Sequence, residues 1–266
     1  MPELPEVETV VRGLQTTIVG EIIQDIETPW SKALQPDSAY DSLIGKTIER
    51  VSRRAKFINI ELDRGSLIVH LRMTGKLIGL YPEKHVTVIL HFRSGNALYF
   101  QDMRKFGRME YTEDSQSFFA HLGPEPLNDA FSVSLFQDML KQKKRMIKTL
   151  LLDQSFLAGL GNIYVDEALF QAGIHPESLT SQIPKKQSSK LHHAIQQILT
   201  ESIKAQGTTV VNFSHGENQS GTYQAALQVY GRTGEPCVVC ASPIRKIKLG
   251  QRGTHFCQIC QKVFRG

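Results

Sequence analysis

Residues 1–14 read MPELPEVETVVRGL. Val7, Val10, Val11, Leu14 and, just beyond, Ile18 recur at helical spacing, so a helix begins within a few residues of the chain start. Pro5 suits its first turn, where a missing N–H costs nothing, and Glu6 and Glu8 lie where the helix dipole favours negative charge. The chain start is thus built into a folded domain and does not fray. Loss of Met1, which a small second residue permits, would leave Pro2 as a free secondary amine beside the Glu3 carboxylate. Such an amine can attack an electrophilic carbon and form a Schiff base, with a carboxylate at hand to move protons. The competing reading is a Pro/Glu-rich lead-in to a helix. The rest of the chain weighs between them.

At 266 residues the chain is long enough for more than one domain, and its hydrophobic content of 41% is that of a globular protein. No apolar run approaches the roughly 18 residues of a membrane span. Glu3, Glu6 and Glu8 stand where a secretory signal would be basic, so a cytoplasmic protein without signal peptide is expected. The net charge of +5 makes a polyanionic partner plausible, and its distribution says more than its size. All four cysteines fall in the last thirty residues, Cys237, Cys240, Cys257 and Cys260, spaced C-x2-C-x16-C-x2-C. That spacing fits a four-thiolate zinc site; two disulfides are the alternative, but nothing points to an oxidising compartment. Four thiolates leave no open position for water or substrate, so one structural zinc and no catalytic metal is the expectation.

Residues 20–112 read as β-structure. FINIEL (57–62), SLIVHLRM (66–73), VTVILHF (86–92) and ALYFQ (97–101) are short, rich in β-branched and aromatic residues, and parted by Asp63-Arg64-Gly65 and Ser94-Gly95-Asn96. Such strands suggest a sandwich or barrel. Gly123-Pro124-Glu125-Pro126 continues neither strand nor helix and reads as a hinge. From Ser134 to Gly207 the pattern is helical. One helix carries Leu135, Phe136, Met139 and Leu140; a second carries Val165, Ala168, Leu169 and Ala172 and stops at Gly173. A third carries Leu191, Ile195, Ile198 and Ser202, with Ser188 or Ser189 as N-cap and Gly207 past its end. Residues 212–224 are polar and aperiodic and read as a mobile loop, with the zinc ribbon following from about Tyr230.

Two basic clusters stand out. Residues 237–266 hold Arg245, Lys246, Lys248, Arg252, Lys262 and Arg265 and no acid, an electrostatic footprint for phosphate. Lys141, Lys143, Lys144, Arg145 and Lys148 precede LAGLGNIYVDEALF, where Gly159 and Gly161 interrupt two helical patterns and Asn162 opens the second. A Gly-rich turn into a helix N-terminus aims backbone N–H groups at an anion. In the β-region, Lys56 follows Arg53 and Arg54, His70 and Met73 fall in VHLRMTG, and Arg104 and Phe106 in QDMRKFG. Met and Phe at turns are usually core. An apolar wedge beside an arginine is also what unstacks a DNA duplex, and an enzyme that flips a base needs something to fill the gap.

The stretches MPELPEVETV, SRRAKF, HLRMTGKL, RKFG, GPEPL, LAGLGNIYVDEALF, HP, VYGRTGEPC and KIKLGQRGTHFCQICQ follow one another from Pro2 to the last cysteine. In that order they resemble the bacterial formamidopyrimidine-DNA glycosylases. The resemblance implies an α+β multidomain protein. An N-terminal β-sandwich with its N-terminal helix (residues 1–122) would be followed by a hinge (123–133). A helix-two-turn-helix domain with a mobile lesion loop (134–228) and a β-ribbon zinc finger (229–266) would complete it. DNA would lie across the two halves of a monomer. By the same resemblance Pro2 is the nucleophile that attacks C1′ of the damaged nucleotide, Glu3 the neighbouring acid/base and Glu6 a supporting carboxylate. Lys56 contacts phosphate and assists β-elimination, and Arg252 grips the flanking phosphates and is associated with δ-elimination. His70, His85, Asn162, Lys144 and Lys148 are further phosphate contacts. Met73, Arg104 and Phe106 fill the void left by the flipped nucleotide, Arg104 facing the orphaned base.

The implied activity is that of a bifunctional glycosylase and AP lyase on double-stranded DNA. Its substrates would be oxidised purines such as 8-oxoguanine and formamidopyrimidines opposite cytosine, and it would act in base excision repair. An endonuclease VIII-type relative acting on oxidised pyrimidines is the nearest alternative, disfavoured by ELPEVET and RKFG. A non-catalytic reader of damaged duplex is a reading of another class, and zinc-dependent hydrolysis a remote third. The chain departs from the family's usual Arg-x-Tyr-Val-Asn run with Val211-Asn212-Phe213-Ser214-His215, beside the loop expected to cover the flipped base.

Overall fold

The computed structural model describes residues 1–36, 38–208 and 221–265. The altered run at 211–215 and most of the expected loop lie outside them. Two compact units form. One comprises residues 1–121 with the described part of 205–222, and the other residues 122–204 and 223–265.

The first unit begins with helix α1 (Leu4–Thr17), capped by Glu3 and with proline in its first turn. Its side chains Leu4, Val7, Val10, Val11 and Leu14 are buried, as the helical spacing requires. The strands follow: β1 (Ile23–Glu27), β2 (Leu34–Gln35), β3 (Ile48–Arg54), β4 (Phe57–Leu62), β5 (Ser66–His70), β6 (Gly75–Ile78), β7 (Val86–Phe92), β8 (Ala97–Asp102) and β9 (Arg108–Thr112). Short helices α2 (Ala39–Leu43) and α3 (Ser115–Phe119) lie between β2 and β3 and after β9. One sheet has the order β1-β7-β8-β6 and the other β2-β9-β5-β4-β3. Val51, Ile58, Ile60 and Val69 of the second sheet pack with Leu77, Val88, Leu90 and Phe100 of the first, and α1 adds Val7 through Leu14 to the same core. Each fully buried Val or Leu contributes about 1.5–3 kcal/mol, so the chain start is held as firmly as the sandwich itself.

The second unit holds α4 (Val133–Lys141), α5 (Ile147–Leu151), α6 (Asn162–Ala172) and α7 (Lys185–Lys204), then the hairpin β10 (Arg245–Leu249) and β11 (Arg252–Phe256). Helix α6 ends as read from the sequence, with Gly173 at φ 68° in the left-handed region. Helix α7 does not begin where expected. It starts at Lys185, and Ser188 lies inside its first turn with its amide bonded to the Pro184 carbonyl. Pro184 stands directly before the helix, where its missing N–H costs nothing, and its carbonyl accepts the first helical bonds, from the Gln187 and Ser188 amides at 2.9 Å each. The end of the expected mobile loop is also ordered otherwise. Tyr223–Ala226 form a 3-10 turn and Tyr223 is buried. Among the described residues no helix is long and apolar enough to cross a membrane.

Gly123 leaves no room for a side chain. A Cβ there would stand 2.7 Å from the backbone of Ser155 and Phe156, and the Gly123 amide donates to Gln154 at 2.9 Å. Gly123→Ala is therefore expected to lower stability by about 1–3 kcal/mol, read as a fall in Tm by calorimetry.

Candidate functional site

In the first unit the chain start is locked by one carboxylate. The Glu3 amide donates to Glu6 Oε2 at 2.9 Å, the return half of a capping box in which the Glu3 side chain accepts from the Glu6 amide. Glu6 Oε1 accepts from the Thr208 amide at 2.9 Å and the Thr208 hydroxyl at 3.1 Å. Glu3 and Glu6 are both almost wholly buried. Gly207, at φ 88°, stands where a Cβ would come 2.8 Å from Glu6 Oε1, so only glycine allows this approach. Gly207 was read only as the residue past the end of the third helix and Thr208 was not singled out; the Gly-Thr-Thr run after α7 carried no signal that it folds back on the N-terminus.

Lys56 sits in the two-residue turn that joins β3 to β4, after Ala55 at φ 54°. It is largely buried. The β4–β5 register sets Phe57 against His70, with ring centroids 4.7 Å apart. His70 Nδ1 accepts from the Arg72 amide at 3.0 Å, which leaves the proton on Nε2. Burial, aided by the charges of Arg72 and Lys56, pushes the His70 pKa down to about 3. His70 is thus a neutral donor placed beside the Lys56 charge.

Met73, His85, Arg104 and Phe106 are all exposed and lie on the turns around Asp102 at the end of β8. The Arg104 guanidinium carbon stands 4.8 Å from the Phe106 ring centroid. Met103, not anticipated, is more exposed than either apolar neighbour at 62%. Arg72, His85 and Lys105 have φ of 54°, 66° and 56°, so left-handed residues bracket the exposed set.

In the second unit Arg252 opens β11 directly after Gly250 and Gln251, both at positive φ, the pattern of a two-residue hairpin that presents its flanks to solvent. Arg245, Lys246, Lys248, Arg252, Lys262 and Arg265 are all exposed, and Arg265 pairs with Glu177 at 2.6 Å. The cluster before α6 divides. Lys141 pairs with Asp138 and Arg145 with Asp153, while Lys144 is exposed and, among the described residues, in no ion pair.

Lys148 corrects the sequence expectation. It is completely buried, its Nζ 2.6 Å from Asp166 Oδ1 and 3.2 Å from the Gly253 carbonyl. Asp166 Oδ2 accepts in turn from the His255 amide at 2.8 Å, and Asn162 Nδ2 donates to Gly253 at 2.9 Å. Lys148 therefore latches β11 to α6 and does not present its charge to phosphate. A basic run in sequence does not reveal which lysine turns inward. Glu167, one residue after Asp166, accepts from the amides of Gln228, Val229 and Tyr230, and burial raises its pKa.

The four cysteine sulfurs lie within 4.8 Å of one another, Cys240–Cys257 at 3.5 Å and Cys237–Cys260 at 3.9 Å. Sulfurs about 2.3 Å from one tetrahedral zinc stand about 3.8 Å apart, so the set fits that ion.

Matches to known proteins agree with this geometry. A formamidopyrimidine-DNA glycosylase N-terminal domain model covers residues 1–109, a formamidopyrimidine-DNA glycosylase H2TH domain model residues 122–214, and the zinc finger found in FPG and IleRS residues 234–263. The formamidopyrimidine-DNA glycosylase of Bacillus licheniformis is 44% identical, spanning 98% of this chain and 100% of its own. The chain belongs to the formamidopyrimidine-DNA glycosylase family. The member from Solibacter usitatus is 46% identical over 98% of this chain and 100% of its own. Among solved structures, a Lactococcus lactis FPG mutant complexed with Fapy-dG containing DNA matches at TM-score 0.91 and 42% identity, over 98% of this chain and 100% of that one. The Lactococcus lactis Fpg complexed with abasic-site DNA matches at TM-score 0.90 and 41% identity, with the same coverage. The family accounts for the zinc-binding cysteines as a structural centre.

Two outcomes check the site. Because His70 has a folded pKa near 3, below the usual 6.5, its effect is absent above pH 6.5. As pH falls from 6.5 towards 3, only the unfolded chain takes up the proton, and stability drops by up to about 1.4 kcal/mol per pH unit. Denaturation of wild type and His70→Asn between pH 7 and 4.5 should show the steeper loss in wild type. Lys148→Met should cost about 3–5 kcal/mol in calorimetry by leaving Asp166 buried without its ammonium, with the salt slope of DNA affinity unchanged.

Proposed function

We propose that the chain is a bifunctional DNA glycosylase and AP lyase of base excision repair. It would release oxidised purines, 8-oxoguanine and formamidopyrimidines, from duplex DNA opposite cytosine, acting as a cytoplasmic monomer. The domain limits of this reading are 1–122, 123–133, 134–228 and 229–266. The observation that carries it is the locked chain start. Glu6 fixes the Pro2-Glu3 dipeptide by accepting from the Glu3 amide while it is itself held by the Thr208 amide, and Met1, whose removal frees the amine, is exposed.

With Met1 removed, the Pro2 nitrogen attacks C1′ as the base leaves, forming an iminium bond to the opened sugar. Glu3, one residue away, moves protons to and from the sugar. A secondary α-amine suits the task, because ordinary α-amines titrate at about 7.7–8.0, well below lysine. Loss of a C2′ proton then expels the 3′ phosphate, and a second elimination expels the 5′ phosphate. Lys56 and neutral His70 meet one phosphate side by side, and Arg252 at the hairpin turn meets another. Asn162 spends one N–H on Gly253 and offers its other, while Lys144 and His85 add outer contacts. Met73, Arg104 and Phe106 occupy the space of the extruded nucleotide, with Arg104 against the orphaned base.

The reading is tested by borohydride trapping on a duplex with one 8-oxoguanine opposite cytosine, using protein shown by intact mass to lack Met1. The expected result is a covalent adduct at Pro2, absent in Pro2→Gly, and weak excision of thymine glycol in parallel. DNA binding without adduct or cleavage would make the chain a lesion reader; excision of thymine glycol alone would place its specificity among oxidised pyrimidines.

A further inference from the structure

Asp102 closes β8 and is 1% exposed. Its Oδ1 accepts from the Arg104 amide at 3.1 Å and from the Thr74 hydroxyl, and its Oδ2 accepts from the Gly107 amide at 2.6 Å. Its own amide donates to the His85 carbonyl at 2.8 Å, and its carbonyl accepts from the Lys105 amide at 3.2 Å. One residue thus ties three separate turns: the one carrying Met73, the one carrying His85, and the one carrying Arg104 and Phe106.

A carboxylate suits this position for a physical reason. Burying a charge is costly unless donors surround it, and here three donors converge on its two oxygens. An asparagine would keep one acceptor and turn its amide N–H against a backbone N–H. The turn has little freedom to adjust. A Cβ on Gly107 would stand 2.4 Å from Phe100 Cζ, and one on Gly75 2.4 Å from the Leu71 carbonyl oxygen. Lys105, held at φ 56°, places its Nζ 4.5 Å from the ring centroid of Trp30, the chain's single tryptophan.

We propose that Asp102 is a positioning residue that sets Met73, Arg104 and Phe106 as one rigid insert. Filling the void and reading the orphaned base then happen as a single event. This rests on the reading that those three side chains enter the duplex. Asp102 touches no substrate itself; it acts through the backbone amides of Arg104 and Gly107 and through Thr74.

The test compares wild type with Asp102→Asn, Thr74→Val and the double variant Arg104→Ala/Phe106→Ala. Single-turnover excision is followed on 8-oxoguanine duplexes with cytosine or adenine opposite, and strand cleavage on single-stranded DNA with a preformed abasic site. The single strand leaves no void to fill, so it reads the Pro2 chemistry alone. Asp102→Asn is expected to slow duplex excision about tenfold and to narrow the cytosine-over-adenine preference, with abasic cleavage within about twofold of wild type. Trp30 emission in the free protein should change as Lys105 relaxes. Thr74→Val removes one donor and should show the same selective pattern at smaller size, which decides the matter if Asp102→Asn does not fold. Wild-type excision and selectivity in Asp102→Asn, or in Thr74→Val where the asparagine variant fails to fold, overturns the proposal. So does parallel loss of duplex and single-strand activity. If Arg104→Ala/Phe106→Ala behaves as wild type, the insertion reading falls, and the proposal falls with it. An impaired double variant beside a normal Asp102→Asn removes the Asp102 role alone.

Discussion

Chain ends fray because few contacts repay the entropy of ordering them, and chemistry at an N-terminal amine is only as good as the order of that end. Here the Glu6 carboxylate supplies the order. It accepts from the Glu3 amide on one side and from Thr208 on the other, in a site so closed that residue 207 must be glycine. A buried carboxylate with fewer donors would be destabilising, so the same bonds that hold the chain start also make Glu6 tolerable. Helix α1 extends the constraint into the sandwich core through Val7, Val10, Val11 and Leu14. The position of Pro2 is therefore a property of the whole first unit.

The turns show the same economy of means. Ala55, Arg72, Lys105 and Gln251 adopt left-handed backbone without being glycine, and each immediately precedes a residue proposed to meet DNA: Lys56, Met73, Phe106 and Arg252. His85 is itself left-handed. Such conformations cost on the order of 1–3 kcal/mol each at worst and persist only where neighbouring contacts overdetermine them. Asp102, the Arg53–Ala55 bond at 3.0 Å and the β10–β11 register provide those contacts. Strained turns pinned to rigid strands aim side chains outward more exactingly than relaxed loops would.

Much of this was legible in the sequence, because the responsible signals are local. The spacing of Val7 to Leu14 gave α1, short runs rich in β-branched and aromatic residues gave β4 and β7 to the residue, and the cysteine spacing gave a tetrahedral set of sulfurs. What was not legible depends on partners distant in the chain. Lys148 looks like its neighbours until Asp166 and Gly253 are seen around it. Thr208 pairs with a residue 202 positions away, and no periodicity marks such a bond. Ser188 has the chemistry of an N-cap, but the backbone path set by Pro184 begins α7 a turn earlier.

The contrast between Lys148 and Lys144 extends to the basic patches as a whole. Lys148 is buried and matched by Asp166, and so holds the fold, whereas Arg252 and Lys144, proposed to meet phosphate, are exposed. An exposed cation gives affinity that salt erodes, whereas a buried pair gives stability that salt barely touches. By latching β11 to α6, Lys148 makes the geometry of the Arg252 turn depend on a contact insensitive to ionic strength. Electrostatic attraction to DNA can then vary with conditions while the arrangement that receives it does not.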